Sequence, residues 1–302
     1  MSRFNGKKSR VRSRPAARAR PWADRVPPHL FFVGSAVFHY LGPSFAVLLF
    51  ARVPVVGVAW LRIVSAALVF ALWRRPWSTF RAADRSTQKL LIALGVVFAL
   101  MNSSFYLAID RLPLGTVAAI EFVGPILLAL AGSRGRRNLV ALALSVVGVA
   151  LLADVRWAGE PVAFGWAFLN AGLFTLYIVL GHRVARVGGA TSPIDRLAAS
   201  MLFAGVAVMP LGLREAAPAL LDPVALVAGI GVGLSSSVIP YVFDQLAMVR
   251  LPRATYSLFV ALLPATAVGI GWVVLGQVPT AMESLAVALI AIGVAVHQPT
   301  GA

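Results

Sequence analysis

Three polar side chains occur at a similar position in three consecutive apolar segments of the sequence. Arg62, Asn102 and Glu121 are each eight residues from a predicted turn on the same side, which corresponds to about 12 Å of helix. In a membrane, a charged side chain at such a depth costs about 2.5–3.5 kcal/mol, so it needs a partner or a function. These positions predict an Arg62–Glu121 ion pair with Asn102 hydrogen-bonded beside it. Such a group could bind a polar substrate or carry a proton; the alternative is an ion pair that only fixes helix packing.

Four of the prolines inside the apolar segments are candidates for helix breaks. Pro125 cannot donate a hydrogen bond to the carbonyl of Glu121, so a free carbonyl and a carboxylate share one turn. By the same rule Pro43 frees the carbonyl of His39, Pro240 that of Ser236, and Pro264 that of Val260. Breaks of this kind at membrane depth line space that is buried in protein or filled with water. We therefore predict helix breaks around a site, and the alternative is a set of kinks that only shape packing.

Four more side chains are candidates for substrate or proton binding. His39 could carry a proton or be a buried histidine with satisfied hydrogen bonds, and Tyr106 could contact a substrate beside Asn102. Tyr241 and Asp244 precede a predicted turn on the opposite side. Asp244 could instead form an interfacial ion pair with Arg250 or Arg253. Phe105 and Tyr177 could supply aromatic walls.

Composition indicates an integral membrane protein. Hydrophobic residues make up 59% of the 302 residues and charged residues 13%, against about 25% charged in soluble domains. The absence of cysteine excludes disulfides and thiol chemistry. Apolar runs long enough to span a bilayer are predicted as ten helices at about 29–50, 54–73, 90–109, 114–131, 138–154, 163–182, 194–213, 223–243, 254–276 and 280–297.

Positive charge predicts the orientation of these helices. With the N-terminus in the cytoplasm, twenty-one Lys and Arg residues fall on the cytoplasmic side and four on the other. Nine of them lie in residues 1–28, which we predict to be a disordered cytoplasmic tail. The tail is better explained as a positive anchor at an anionic membrane than as a nucleic-acid-binding arm. Both termini are therefore predicted in the cytoplasm, and the chain in the plasma or inner membrane.

A short motif occurs twice at an offset of 139 residues. Arg111-Leu112-Pro113 is followed by Pro125, and Arg250-Leu251-Pro252 is followed, at the same spacing, by Pro264. Each predicted half, 29–154 and 163–297, has five helices, and an odd number makes the second copy enter the membrane in the opposite orientation. The fold predicted is therefore an all-α integral membrane protein of two inverted five-helix repeats, an arrangement common among alternating-access transporters.

Several stretches resemble the drug/metabolite transporter superfamily of the EamA type, and most closely its threonine/homoserine exporter branch. The most specific is MNSSFYLAIDRLPLGTVAAIEFVGPILLAL at 101–130, followed by AWLRIVSAALVFALWRRPW at 59–77, GWAFLNAGLFTLYIVLGHRVA at 165–185 and LSSSVIPYVFDQLAMVRLP at 234–252. The resemblance implies a ten-helix carrier that exports small amino acids or related metabolites in exchange for protons. The family often has an acid before the second-half proline and Gly-Glu after it. This chain has Leu263-Pro264 and Gly276-Gln277 there, which leaves Glu121 as the main candidate for proton coupling.

Two other functions fit the composition less well. A membrane enzyme acting on lipid needs several polar groups near one face, whereas the eleven acids of this chain are scattered and no HExxH motif is present. A passive facilitator of the same fold would share every feature above except proton coupling. The expectation is a non-enzymatic transporter without cofactor or metal, whose partners are the lipid bilayer, a small-molecule substrate and the proton. The sequence does not predict an oligomeric state.

Overall fold

Helices form almost all of the regular structure of the chain. The computed structural model describes residues 26–112, 114–132, 135–152, 161–189, 191–260, 262–275 and 278–296, and these residues contain no strand. The first half comprises α1 (Pro28–Leu49), α2 (Val55–Arg74), α3 (Pro76–Ala82), α4 (Arg85–Ile109), α5 (Leu114–Glu121), α6 (Val123–Gly132) and α7 (Arg136–Leu152). Nearly all of the predicted basic tail lies outside the described residues.

The described residues of the second half form seven further helices and one π-helical turn. They are α8 (Pro161–Ala185), α9 (Pro193–Leu221), α10 (Pro223–Gly233), α11 (Ile239–Arg250), α12 (Arg253–Phe259), α13 (Leu262–Leu275) and α14 (Ala281–Val296). The π-helical turn, Leu234–Val238, joins α10 to α11 without an interruption of the helical path. Such π-helical turns are rare in proteins. Where one is present, it frequently lies at a functional site.

Seven helical runs in the described part of the chain are long and apolar enough to cross a membrane. They are Pro28–Leu49, Val55–Arg74, Arg85–Ile109, Pro161–Ala185, Pro193–Leu221, Pro223–Arg250 and Arg253–Val274. The segment predicted over 114–131 is divided into α5 and α6, and α7 and α14 have 17 and 16 residues. The chain is therefore a multi-pass helical membrane protein.

Helix starts coincide with capping residues and prolines. Ser192 and Asp195 form a reciprocal capping box at the start of α9, and Pro193 occupies the first turn. The carboxylate of Asp222 accepts the N–H groups of Val224 and Ala225 at the start of α10. These capping residues fix where each of the two helices begins.

Small residues bring the spans close together. A methyl group on Gly95 of α4 would overlap the backbone carbonyl of Ser200 in α9, and one on Gly233 of α10 would overlap the hydroxyl of Ser65 in α2. On Gly205 of α9 it would meet the Cβ of Ala67 in α2 at 2.9 Å. In lipid, where apolar side chains gain little by meeting one another, such close backbone packing is a main source of helix association.

Two of the spans are broken and lie side by side in opposite directions. The first breaks at Phe122 between α5 and α6, and the second breaks between α12 and α13. Helix α5 packs against α13, and α6 packs against α12. The first part of each span therefore lies beside the second part of the other.

Candidate functional site

A small, partly open cavity lies where α1, α2, α4, the end of α5, α8 and α11 meet. Its walls are formed by His39, Arg62, Met101, Asn102, Phe105, Glu121, Asn170, Phe174 and Tyr241. Five of the seven side chains predicted to bind substrate or proton are among them. The cavity wall therefore combines two side chains of opposite charge, Arg62 and Glu121, with several aromatic side chains. A few polar groups among apolar and aromatic ones are typical of a small-molecule site.

The guanidinium of Arg62 is held by the π-helical turn. Its Nη2 donates to the carbonyl oxygen of Ser236 at 2.7 Å, and its Nε donates to the hydroxyl of Ser237 at 2.9 Å. The carbonyl of Ser236 is the one that Pro240 leaves without a helical donor. A freed backbone acceptor therefore fixes a buried cation, whose side chain is 2% exposed, at the wall of the cavity.

The carboxylate of Glu121 is held from the opposite half of the chain. The amide nitrogen of Asn170 in α8 donates to Glu121 Oε1 at 2.5 Å. Glu121 is the last residue of α5 and is 8% exposed. Its position at the break before Phe122 places the carboxylate where the helix leaves its regular path.

The predicted Arg62–Glu121 ion pair is not formed in this structure. Ion pairs within 4 Å in the described ranges are Arg52–Asp222, Arg74–Asp195 and Arg111–Asp110. The reason is that Arg62 turns toward Ser236 and Ser237, while Glu121 is bonded to Asn170. A cation and a carboxylate therefore line the same cavity, each oriented by its own partner.

Asn102 and Tyr241 join the two halves of the chain across the cavity wall. The amide nitrogen of Asn102 donates to the Tyr241 hydroxyl at 3.1 Å and to the carbonyl of Phe98 at 2.7 Å. The ring of Tyr241 lies 4.5 Å from that of Phe98 and 5.6 Å from that of Tyr177, measured between centroids. Asn102 is therefore buried beside Arg62 as predicted, but its hydrogen bonds go to α11 and to its own helix.

His39 lies among aromatic rings. Its ring centroid is 5.9 Å from Tyr241 and 6.4 Å from Phe174. Its Nδ1 is buried and has no hydrogen-bond partner among the described residues. This part of the site therefore differs from a buried histidine with satisfied hydrogen bonds.

Tyr106 lies beside the cavity and not in its wall. Its ring lies 5.6 Å from the guanidinium carbon of Arg62, a distance at which a cation is attracted to an aromatic face. Tyr106 is fully buried. Its ring therefore contacts Arg62 in addition to the hydrogen bonds from Arg62 to Ser236 and Ser237.

Asp244 belongs to a separate buried cluster. Its carboxylate accepts hydrogen bonds from the Ser35 hydroxyl in α1 and the Tyr177 hydroxyl in α8, both at 2.6 Å, and the Tyr256 hydroxyl faces it as well. The interfacial ion pair with Arg250 or Arg253 is not formed. Arg250 instead donates to the carbonyl of Val26 at 2.8 Å. Asp244 thus ties together helices from both halves.

The four prolines behave differently from one another. Pro125 follows the break at Phe122 by three residues, and Pro264 follows the turn at Val260 by four. Pro240 stands at the start of α11, directly after the π-helical turn. Pro43 lies inside α1, which continues as one helix from Pro28 to Leu49, so the predicted break at this residue is not present.

Asn170 and Phe174 are site residues that sequence reasoning missed. Asn170 is the only Asn, Gln or charged residue in the apolar run 161–181. The same signal, an isolated amide in a spanning segment, identified Asn102. In the described residues no group of three His, Cys, Asp or Glu side chains is placed to hold a metal ion.

Comparisons with known proteins agree with the resemblance seen in the sequence. Residues 161–297 match the EamA-like transporter family. The threonine/homoserine exporter RhtA of Escherichia coli K12 is 34% identical over 257 residues, which cover 82% of this chain and 83% of that protein. RhtA of Salmonella typhimurium LT2 is 32% identical over 254 residues, with the same coverage. A solved crystal structure superposes with a TM-score of 0.66 at 16% identity, over 89% of this chain and 95% of that chain, which shows a shared fold.

Proposed function

Because this chain belongs to the EamA-like transporter family, in the threonine/homoserine exporter branch, we propose that it exports small amino acids such as threonine or homoserine. Its relatives are exporters, so the chain is a small-molecule transporter of the inner membrane and not an enzyme. The identity of the substrate, the coupling to protons and the transport cycle belong to the proposal.

The separation of Arg62 and Glu121 in one cavity is the observation that carries this proposal. An amino acid has a carboxylate and an ammonium group a few bonds apart. Arg62, fixed by Ser236 and Ser237, offers a donor for the carboxylate, and Glu121 offers an acceptor for the ammonium.

We propose an architecture of ten spans in two inverted repeats. The breaks at Phe122 and Val260 are 138 residues apart, within one residue of the motif offset of 139. Gly95 lies against the backbone of Ser200, and Gly233 lies against the backbone of Arg62. A shift of 138 residues relates Gly95 to Gly233 and Arg62 to Ser200, so the two contacts correspond to each other. Ala67 and Gly205 also contact each other, and the same shift relates one to the other. The two residues of this contact are therefore each other's counterparts in the two halves. The antiparallel contact of the two broken spans also agrees with the inversion, and the positive-charge bias supports cytoplasmic termini.

Transport by alternating access would follow from movement of one half against the other around this cavity. Glu121 accepts one hydrogen bond, from Asn170, and no cation lies within 4 Å of it in the described structure. A proton or a substrate ammonium would each relieve the cost of this buried charge. The two would therefore compete for the same carboxylate, which is the basis of proton antiport.

Flux measurements on the purified chain in proteoliposomes test this function. Uptake of labelled threonine or homoserine should depend on an imposed pH gradient and should be blocked by unlabelled amino acid. Flux that ignores the gradient would favour a passive facilitator, and inhibition by a different class of metabolite would favour another substrate on the same fold. Formation of product from labelled lipid would favour the enzyme alternative.

A further inference from the structure

Asn170 is a cavity residue whose amide oxygen has no donor. The side chain is fully buried and lines the cavity, and its Nδ2 donates to Glu121. Its Oδ1 accepts no hydrogen bond from the described residues. A buried polar atom of this kind is rare in a folded protein and points to a partner that binds there.

The hydrogen bond to Glu121 fixes which way the amide points. A carboxylate accepts hydrogen bonds, so the amide nitrogen must face it. The opposite orientation would place the amide oxygen against the carboxylate and leave both without a donor. Oδ1 of Asn170 is therefore an acceptor in a fixed position next to the acceptor oxygens of Glu121.

His39 provides a third unpaired position in the same wall. Its Nδ1 is buried without a partner in the described ranges, and its ring is fixed by the rings of Phe174 and Tyr241. In the tautomer with the proton on Nε2, Nδ1 is an acceptor. Three side chains of the cavity wall, Glu121, Asn170 and His39, can then each supply an acceptor, and Phe174 lines the same wall.

We propose that Asn170 is the residue by which this site selects a primary ammonium group. A primary ammonium has three N–H donors, one for each acceptor. A hydroxyl in the same place supplies one donor, and a trimethylated ammonium supplies none. Sites whose polar groups are left unpaired by an analogue reject that analogue strongly. This inference rests on the proposed amino acid export and names the feature of the substrate that the site recognises.

The test compares substrates that differ only at the amino group. Proteoliposomes with the full chain would be assayed with L-threonine against 2,3-dihydroxybutanoate, and with L-homoserine against its N,N,N-trimethyl betaine. The wild-type chain should prefer the primary amines by roughly 100-fold or more in kcat/KM. Asn170→Leu should reduce this preference at least tenfold by lowering transport of the amines alone. Asn170→Gln keeps both the amide oxygen and an N–H that can donate to Glu121, and it should retain more of the preference than Asn170→Leu.

Thr175→Val is the matched control. Thr175 lies on the same helix, and its hydroxyl donates to the carbonyl of Ala171 in its own helix, so the preference should not change. If Asn170→Leu does not fold, Asn170→Ser, which withdraws the amide oxygen with less change in polarity, gives the same ratio.

Three results would overturn the proposal. Equal loss for amines and analogues in the Asn170 variants would assign Asn170 a structural role only. An unchanged preference would remove its role in selection, and both of these results leave amino acid export intact. Failure of the wild-type chain to move any amino acid would instead refute the proposed function and the inference together.

Discussion

The guanidinium of Arg62 donates a hydrogen bond to the backbone carbonyl of Ser236, 2.7 Å away, across the contact between α2 and the π-helical turn. Ser237 holds the same guanidinium through its hydroxyl. The position of the buried cation thus depends on an irregularity in another span.

Arg62→Lys tests whether the fork geometry of the guanidinium matters in addition to its charge. Lysine keeps the charge but cannot bond Ser236 and Ser237 with two donors in a fixed plane. A hydrogen bond to a charged group contributes about 1.5–3 kcal/mol, so threonine kcat/KM should fall on the order of tenfold or more. Arg52→Lys, at the exposed ion pair with Asp222, is the control. Equal activity of both variants would assign Arg62 no role beyond its charge.

Glu121→Gln tests the proposed proton coupling. Glutamine keeps an oxygen that can accept the hydrogen bond from Asn170, so the protein should fold with little change in melting temperature. It cannot exchange a proton, so threonine flux driven by a pH gradient should disappear in proteoliposomes. The matched variant Glu215→Gln changes an exposed residue of α9 and should transport normally. Undiminished proton-driven flux in Glu121→Gln would refute the assignment.

Asp244 should contribute to stability by holding Ser35 and Tyr177. Asp244→Leu leaves the buried hydroxyl of Tyr177 without its acceptor, whereas Ser35 can still donate to the carbonyl of Pro240. An unsatisfied buried group costs about 1–3 kcal/mol. The free energy of unfolding in detergent should fall more for Asp244→Leu than for Asp244→Asn, which keeps one acceptor oxygen. Asp110→Asn, at an exposed turn, should have little effect. Equal stability of the Leu and Asn variants would contradict this role.

Gly95 should not tolerate a side chain, because the atoms in its way are backbone. The methyl group of Gly95→Ala would overlap the carbonyl of Ser200, and overpacking of this kind costs about 1–3 kcal/mol. Gly165 lies in α8 with no atom within 4 Å of an added Cβ. Gly165→Ala should therefore be neutral or stabilise by up to about 1 kcal/mol. Thermal unfolding of both variants in detergent distinguishes them, and equal melting temperatures would contradict the close α4–α9 contact.

The sequence predicted the site better than it predicted the contacts within the site. The depth of a polar side chain or a proline in a spanning helix follows from the helical rise and from the number of residues to the nearest turn, both of which can be taken from the sequence. Arg62, Asn102 and Glu121, for which the sequence predicts a common depth, line one cavity. Their partners depend on which way each helix faces, and this rotation is set by packing against spans that are distant in sequence. An Arg62–Glu121 ion pair is the simplest arrangement to predict. In the structure, Arg62 instead bonds the π-helical turn and Glu121 bonds Asn170.

The effect of a proline could be predicted only in part. The rule that a proline frees the carbonyl four residues earlier holds for Pro240, whose freed carbonyl is bonded by Arg62. It gave no break at Pro43, since α1 continues through this residue. Neighbouring helices and local adjustments decide whether the freed carbonyl opens the helix, and these are tertiary properties.

The contact between Ala67 and Gly205 has a consequence for the origin of the fold. Under the proposed inversion, Ala67 and Gly205 occupy equivalent positions in the two halves and exchange places. A contact between equivalent positions is the property of an isologous interface in a twofold dimer. Two separate half-length chains, inserted in opposite orientations, could meet through the same pair of small residues. Covalent fusion then adds no new contact here. It lets the halves diverge, so that one copy can keep a glutamate at a position where the other has Val260.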